Sequence, residues 1–231
     1  MKADRPVGPR IDATPAQAPA PVVLHGRFGR VEKLDRIRHG AALWDAVRTH
    51  DEVWTYMAYG PFADADAFLV WLDQRVRLPD PFSYAIVDAS GRALGIATLM
   101  AIRPEMRVIE VGHIVLTPAL QRTPLATEAQ YLLARYAFET LRYRRYEWKC
   151  DALNAASRRA ALRLGFTFEA IFRQHMIVKE RSRDTAWYAM LDADWPARKH
   201  AFERWLAPEN FDAAGRQREP LGVIMQAAAG E

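Results

Sequence analysis

Cysteine is nearly missing from this chain: Cys150 is the only one in 231 residues. It cannot form an internal disulfide, so a reducing, cytoplasmic setting is expected. Long apolar runs are missing too. The hydrophobic stretches are too short and too interrupted to cross a bilayer, so no membrane partner is expected. Met1 to Ala20 carries proline and charge where an export signal needs an apolar centre. Charge of one sign is scarce as well. The formal net charge is +4, and with no recognised nucleic-acid motif present, no nucleic-acid partner is expected. No His/Cys/Asp cluster has metal-ligand spacing, so no metal is expected, and residue order shows no Ser-His-Asp arrangement.

What is present is the composition of a globular protein, 50% hydrophobic and 26% charged. The length suits one large domain. Residues 1–20 are rich in Pro and Ala without a period and are expected to form a disordered tail. One domain is expected over 21–207, with 208–231 a C-terminal extension of too little pattern to assign. Val22 to Leu34 reads as a strand interrupted by Gly26 and Gly29. Asp35 to Val47 has a helical pattern that counts Ile37, Leu43, Trp44 and Val47 as apolar. Trp54 to Phe62, WTYMAYGPF, is an aromatic loop with a Gly-Pro break. Asp64 can cap a helix running to about Val76, and Phe82–Val87 with Ala93–Ala101 reads as a hairpin.

The stretch from Val108 to Glu128, VIEVGHIVLTPALQRTPLATE, organises the remainder. Its first half is a β-branched apolar strand. Its second half opens a helix, with Thr123 a good cap and Pro124 suited to the first helical position, which continues to about Leu141. A strand, a short loop and a helix N-terminus together favour an anion. Tyr146–Cys150 is a short strand and Asn154–Leu164 a helix stopped by Gly165. Phe166–Phe172 and Thr185–Leu191 are strands around a charged turn, Lys179–Asp184. Asp194–Leu206 is an amphipathic helix carrying Trp195, Phe202 and Trp205 on one side. Hairpins mixed with two strand–helix–strand crossings predict an α/β (α+β) domain, a mixed sheet with helices on both faces.

Three segments in order carry a family resemblance: IEVGHIVLTPALQRTPLATEA, CDALNAASRRAALRLGFTFEA and RDTAWYAMLDADW. Over roughly Val22 to Trp195 the chain resembles the GNAT superfamily of N-acetyltransferases, most closely the branch that includes the ribosomal-protein N-terminal acetyltransferases. The resemblance implies a mostly antiparallel sheet, splayed near Val115–Thr117 and Glu147–Lys149 to leave a slot for coenzyme A. It implies acetyl-CoA as co-substrate, and a small-molecule amine or a protein N-terminus as acceptor. The family's phosphate loop, Q/R-x-x-G-x-G/A, falls on Gln121 to Ala126 as QRTPLA. Pro124 replaces the first glycine and removes one donor. The main-chain N–H groups of Thr123, Leu125, Ala126 and Thr127 would still cradle a pyrophosphate, Arg122 would add charge, and Leu116 would border the coenzyme. By the same resemblance Asn154 would contact the pantetheine arm and Ser157 would sit near the thioester sulfur. The alternative for Asn154 is plain helix capping, which is compatible with ligand contact.

Glu110 is the first choice of general base, since a carboxylate in an apolar strand has its pKa raised by burial. His113 is the rival. Strict alternation puts the two on opposite strand faces, and a bulge near Gly112, as the family has, would change that parity. Tyr56, Tyr59 and Phe62 fall where the family's acceptor loop would be, with packing over the core as the alternative. Cys150 reads as a core residue. The expected activity is acetyl transfer to a primary amine. The alternatives are transfer of a longer acyl group such as succinyl, or a non-catalytic acyl-CoA-binding regulatory domain. The last helix is expected to offer a face for a homodimer.

Overall fold

The computed structural model describes residues 5–227. Among them one sheet of eight strands runs in the spatial order β1-β2-β3-β4-β5-β6-β8-β7. The interrupted N-terminal strand is a hairpin, β1 (Val23–His25) and β2 (Gly29–Lys33), turned between the two glycines. Gly26 is needed there because a Cβ would meet the Glu128 carboxylate, whose oxygens accept from the N–H groups of Arg27 and Phe28 at 2.6 and 2.8 Å.

Helices α1 (Arg36–Val47) and α2 (Ala65–Arg77) follow, capped by Asp35 and Asp64, each accepting from the N–H three residues on. Ile37 is 87% exposed, so it lies off the apolar stripe expected of α1. Strands β3 (Phe82–Asp88) and β4 (Ala93–Arg103) form the expected hairpin, and β4 pairs antiparallel with β5 (Val108–Leu116). Next come α3 (Pro124–Arg135), which runs into a π-helical turn at Tyr136–Thr140, and β6 (Arg145–Asp151). β5 and β6 are parallel, and the other adjacent strands are antiparallel.

Helix α4 (Ala155–Arg163) leads to a long hairpin, β7 (Thr167–Val178) and β8 (Arg181–Leu191). Its turn is narrower than expected: Lys179 and Glu180, both at positive φ, close it alone. Helix α5 (Trp195–Leu206) buries Trp195, Phe202 and Trp205, with Trp195 and Phe202 stacking near Tyr131 of α3. Those side chains pack inside the chain. The C-terminal extension forms an isolated bridge, Phe211 with Gln217, and a short helix α6 (Leu221–Ala227).

The helices divide between the two faces. Leu43, Phe68 and Leu72 of α1 and α2 cover Ala85, Val87 and Ile96 on one, while α3, α5 and α6 cover Ile86, Leu99 and Ile109 on the other. Of the segment 1–20 expected to be disordered, residues 1–4 lie outside the described residues, and its end docks along this second side. Ala16 is buried, its N–H donates to Pro104 O at 3.1 Å, and Tyr84 donates to Ala20 O at 3.1 Å. Proline restricts the unfolded segment, so few bonds suffice to fix it. No described helix is long and apolar enough to cross a membrane.

Candidate active site

The site forms where two parallel strands stop pairing. β5 and β6 pair from Val108↔Arg145 to Val111↔Trp148 and no further. The cause lies on the other side of β5. Its register with β4 jumps from Thr98↔Gly112 to Ile96↔Val115, so His113 and Ile114 stand opposite Ala97 alone. His113 takes φ 47°, and Thr98 Oγ1 donates to Gly112 O at 2.9 Å, holding the bulge in place. The splay therefore opens at Gly112, earlier on β5 than the sequence suggested.

Two cavities flank the opening, and Trp148 borders both. The first, about 420 Å³, is lined by Glu110, His113, Lys149, Cys150, Asn154 and Ser157 among others. Lys149 Nζ lies 2.7 Å from Glu110 Oε2 and 2.9 Å from Glu147 Oε2. The two carboxylates differ in their surroundings. Burial pushes Glu110 above the ordinary carboxylate range, with Lys149 opposing and Glu147 adding to the rise. Burial acts on Glu147 as well, but bonds from Arg145 (2.7 Å) and Lys149 outweigh it and hold that carboxyl low. Glu147 is thus a fixed anion and Glu110 the group able to take a proton.

His113 is driven the other way. Burial, helped by the charges of Arg75 and Arg183, lowers its pKa to about 4, so it is neutral at pH 7. Its Nδ1 lies 2.9 Å from the Tyr59 hydroxyl, which burial keeps protonated. The Ser157 hydroxyl accepts from Trp148 Nε1 at 3.0 Å. An indole N–H can only donate, so the serine O–H stays available as a donor. Asn154 Oδ1 accepts from Ser157 N at 3.0 Å, which makes Asn154 the cap of α4 and brings it to the cavity. The Cys150 thiol is buried, and burial raises its pKa, which suits a protonated thiol rather than a nucleophile.

The second cavity, about 610 Å³, runs from Leu116 past the N-terminus of α3 to α4 and the C-terminal extension. Three guanidinium groups line it, those of Arg122, Arg163 and Arg216. Arg163 Nη1 donates to Thr127 Oγ1 at 3.1 Å and sits over the Trp205 ring at 5.4 Å.

A family model described as Acetyltransferase (GNAT) domain matches residues 33–167, more than half of the chain. This chain belongs to the GNAT acetyltransferase family. Among solved structures, a GCN5-related N-acetyltransferase from Brucella melitensis is 46% identical, with a TM-score of 0.90 over 93% of this chain and 99% of that one. A GNAT-family acetyltransferase from Chromobacterium violaceum is 41% identical, with a TM-score of 0.78 over 85% of this chain and 100% of that one. A ribosomal L7/L12 alpha-N-protein acetyltransferase shares the fold at 20% identity, with a TM-score of 0.64 over 74% of this chain and 94% of that one. No curated protein matches.

The GNAT fold brings Glu110, His113, Asn154, Ser157 and Tyr56 to one cavity, and Leu116, Arg122, Thr123, Ala126 and Thr127 to the other. Three expected contacts fall elsewhere. Phe62 packs edge-on to Trp54 and Phe68, away from both cavities, because that aromatic cluster closes the core over α2. Tyr59 packs against Trp71 and meets the cavity only through His113. Gln121 turns its amide to Leu116 O at 3.0 Å, pinning the turn instead of facing the slot. The Leu125 side chain is buried against β2, while the contact expected of it is its main-chain N–H. Two of the four backbone donors expected at the phosphate turn are used. Thr123 N donates to Leu120 O, and Ala126 N donates to Thr123 Oγ1. Among the described residues Arg122, Leu125 and Thr127 keep N–H groups without an acceptor. The sequence reading missed Lys149, which meets Glu110 only across paired strands, and the cations Arg163 and Arg216, whose approach depends on the fold.

Proposed function

We propose that the protein moves an acetyl group from acetyl-CoA to a primary amine by direct attack of the amine on the thioester. The observation that carries this reading is the buried Glu110, held above its ordinary pKa and facing the same cavity as the Ser157 hydroxyl. The family uses acetyl-CoA as co-substrate. The second cavity suits its anionic end, with three guanidinium groups and three main-chain N–H groups as donors.

The amine nitrogen attacks the thioester carbonyl in its neutral form. As the C–N bond forms, the nitrogen loses a proton, which passes to Glu110, and the C–S bond breaks. Ser157 donates to the departing sulfur, and amide and thiol are the products. An α-amino group, with a pKa of about 7.7–8.0, needs far less help to reach the neutral form than a lysine amine at about 10.4. Tyr56, at the cavity edge, and His113, neutral at pH 7, border the acceptor.

Thiol release from acetyl-CoA with a panel of amines tests the assignment. Glu110→Gln is expected to lower kcat at pH 7 by ~10²–10⁴-fold. It should also remove the fall in rate seen as the pH drops through the raised Glu110 pKa. Ser157→Ala is expected to cost less, because a thiol of pKa near 8.5 leaves tolerably unaided. Equal losses from the two changes would sink these roles.

A second reading, a regulatory domain that binds acyl-CoA without turnover, draws support from Pro124 and the thin set of backbone donors around it. Calorimetric binding of acetyl-CoA without thiol release from any amine would favour that reading.

A further inference from the structure

The wall of the first cavity opposite Glu110 is built by β7 and β8, and its chemistry is not needed for acetyl transfer. Arg183, Thr185 and Trp187 of β8 line it, with His175 and Met176 of β7. Arg183 Nε donates to Thr185 Oγ1 at 3.2 Å, and the same oxygen lies 3.0 Å from His175 Nδ1. That hydroxyl is the one partner recorded for the guanidinium, and among the described residues no carboxylate lies within 4.0 Å of it. The neighbouring cations differ: Lys149 takes Glu110 and Glu147, and Arg145 takes Glu147 and Glu169.

Glu110 feels the charge of Arg183 only at a distance, and a half-buried cation with no carboxylate in contact gains when an anion arrives. The four unbonded N–H groups at the Arg183 Nη atoms form a fork that suits a carboxylate. Trp187, which also lines the cavity, has its indole N–H buried without an acceptor. Met100 and Met176 add apolar wall to the same cavity.

We infer that Arg183, with Thr185 and His175 beside it, is a carboxylate-binding subsite, so that one of the two reactants carries a carboxylate into the cavity. That carboxylate belongs either to the acceptor, an amino-acid-like amine, or to the far end of the acyl group, a dicarboxylic monothioester. Polyamines and aminoglycosides, cationic throughout, would meet Arg183 as like charge. The inference rests on the acyltransferase reading above.

The experiment separates that reading from the subsite. Calorimetry with acetyl-CoA alone tests coenzyme binding. Rates with acetyl-CoA are then compared for amine pairs differing only in a carboxylate, such as L-phenylalanine against phenethylamine and 4-aminobutyrate against butylamine. A second arm compares succinyl-CoA with butyryl-CoA on the plain amines. One arm should show a preference of about 10- to 100-fold in kcat/KM for the carboxylated member. Arg183→Gln should abolish that preference through KM more than kcat, and Arg183→Lys should restore part of it. Equal rates in both arms, or an Arg183→Gln loss spread evenly over every substrate, would overturn the subsite. Should no pair turn over, binding of succinate and N-acetyl-L-phenylalanine to the CoA-loaded protein decides the matter. Saturable binding lost in Arg183→Gln supports the subsite, and no binding or unaltered binding overturns it.

Discussion

His113 shows how one position in this chain answers to its surroundings. Its ordinary pKa is about 6.5, and in the fold it is about 4, because burial and two arginines oppose its charge. A lowered pKa means stability that is present above the ordinary value and lost as pH falls through the folded one. The protein should therefore lose on the order of 3 kcal/mol from this residue between about pH 6.5 and pH 4. Buried His39, lowered first by desolvation, contributes in the same direction. Urea denaturation of His113→Gln at pH 7 and pH 4.5 checks this, and the gap between the two pH values should shrink against the unaltered protein. An unchanged gap would mean His113 does not report its burial. Glu110 was legible as a candidate base because a lone carboxylate in an apolar strand stands out. Its tether to Lys149 was not, because that contact spans 39 positions of sequence and exists only once β5 and β6 lie side by side.

The elements that matter most are the bulged strand β5 and the N-terminus of α3. Without the bulge, alternation would send Glu110 and His113 to opposite faces; with it, both line one cavity. The sequence offered Gly112 as a hint but not the register shift, since registers are fixed by pairing with β4. At α3 the sequence did show the cap and the proline, and both are where they were expected. Pro124 leaves the turn one donor short. Pro124→Ala is expected to supply that N–H and tighten coenzyme A binding by about tenfold, the scale of a hydrogen bond to a charged group. Isothermal titration of both proteins measures it. Weaker binding in the variant would show that the proline's rigidity matters more than the missing hydrogen.

At the scale of the whole molecule, the C-terminal extension completes the second cavity. Trp205, Phe211, Gly215, Arg216 and Gln217 line it, and Trp205 Nε1 donates to Gln217 Oε1 at 2.8 Å. Arg216 is well exposed and pairs with Asp212 at 2.8 Å, so its removal should leave the fold intact. Arg216→Ala is expected to weaken coenzyme A binding about fivefold at low salt, fading as salt rises, with little change in melting temperature. Binding that is unaltered at low salt would exclude the extension from coenzyme recognition. The docked N-terminal segment belongs to the same scale. Its Pro- and Ala-rich composition argued for disorder, yet Ala16 and Ala20 find partners on the π-helical turn's side of the sheet.

By itself, the sequence determined the strand and helix order, the caps at Asp64, Thr123 and Asn154, and the presence of a carboxylate, Glu110, in an apolar strand. Those are local matters of side-chain period, backbone geometry and intrinsic acidity, written in neighbouring residues. The tertiary structure alone decided that His113 shares a cavity with Glu110, that Arg183 lines that cavity with no carboxylate in contact, and that a distant extension borders the second cavity. Burial and pairing between remote strands set those features, and neither is a property of any short stretch of chain.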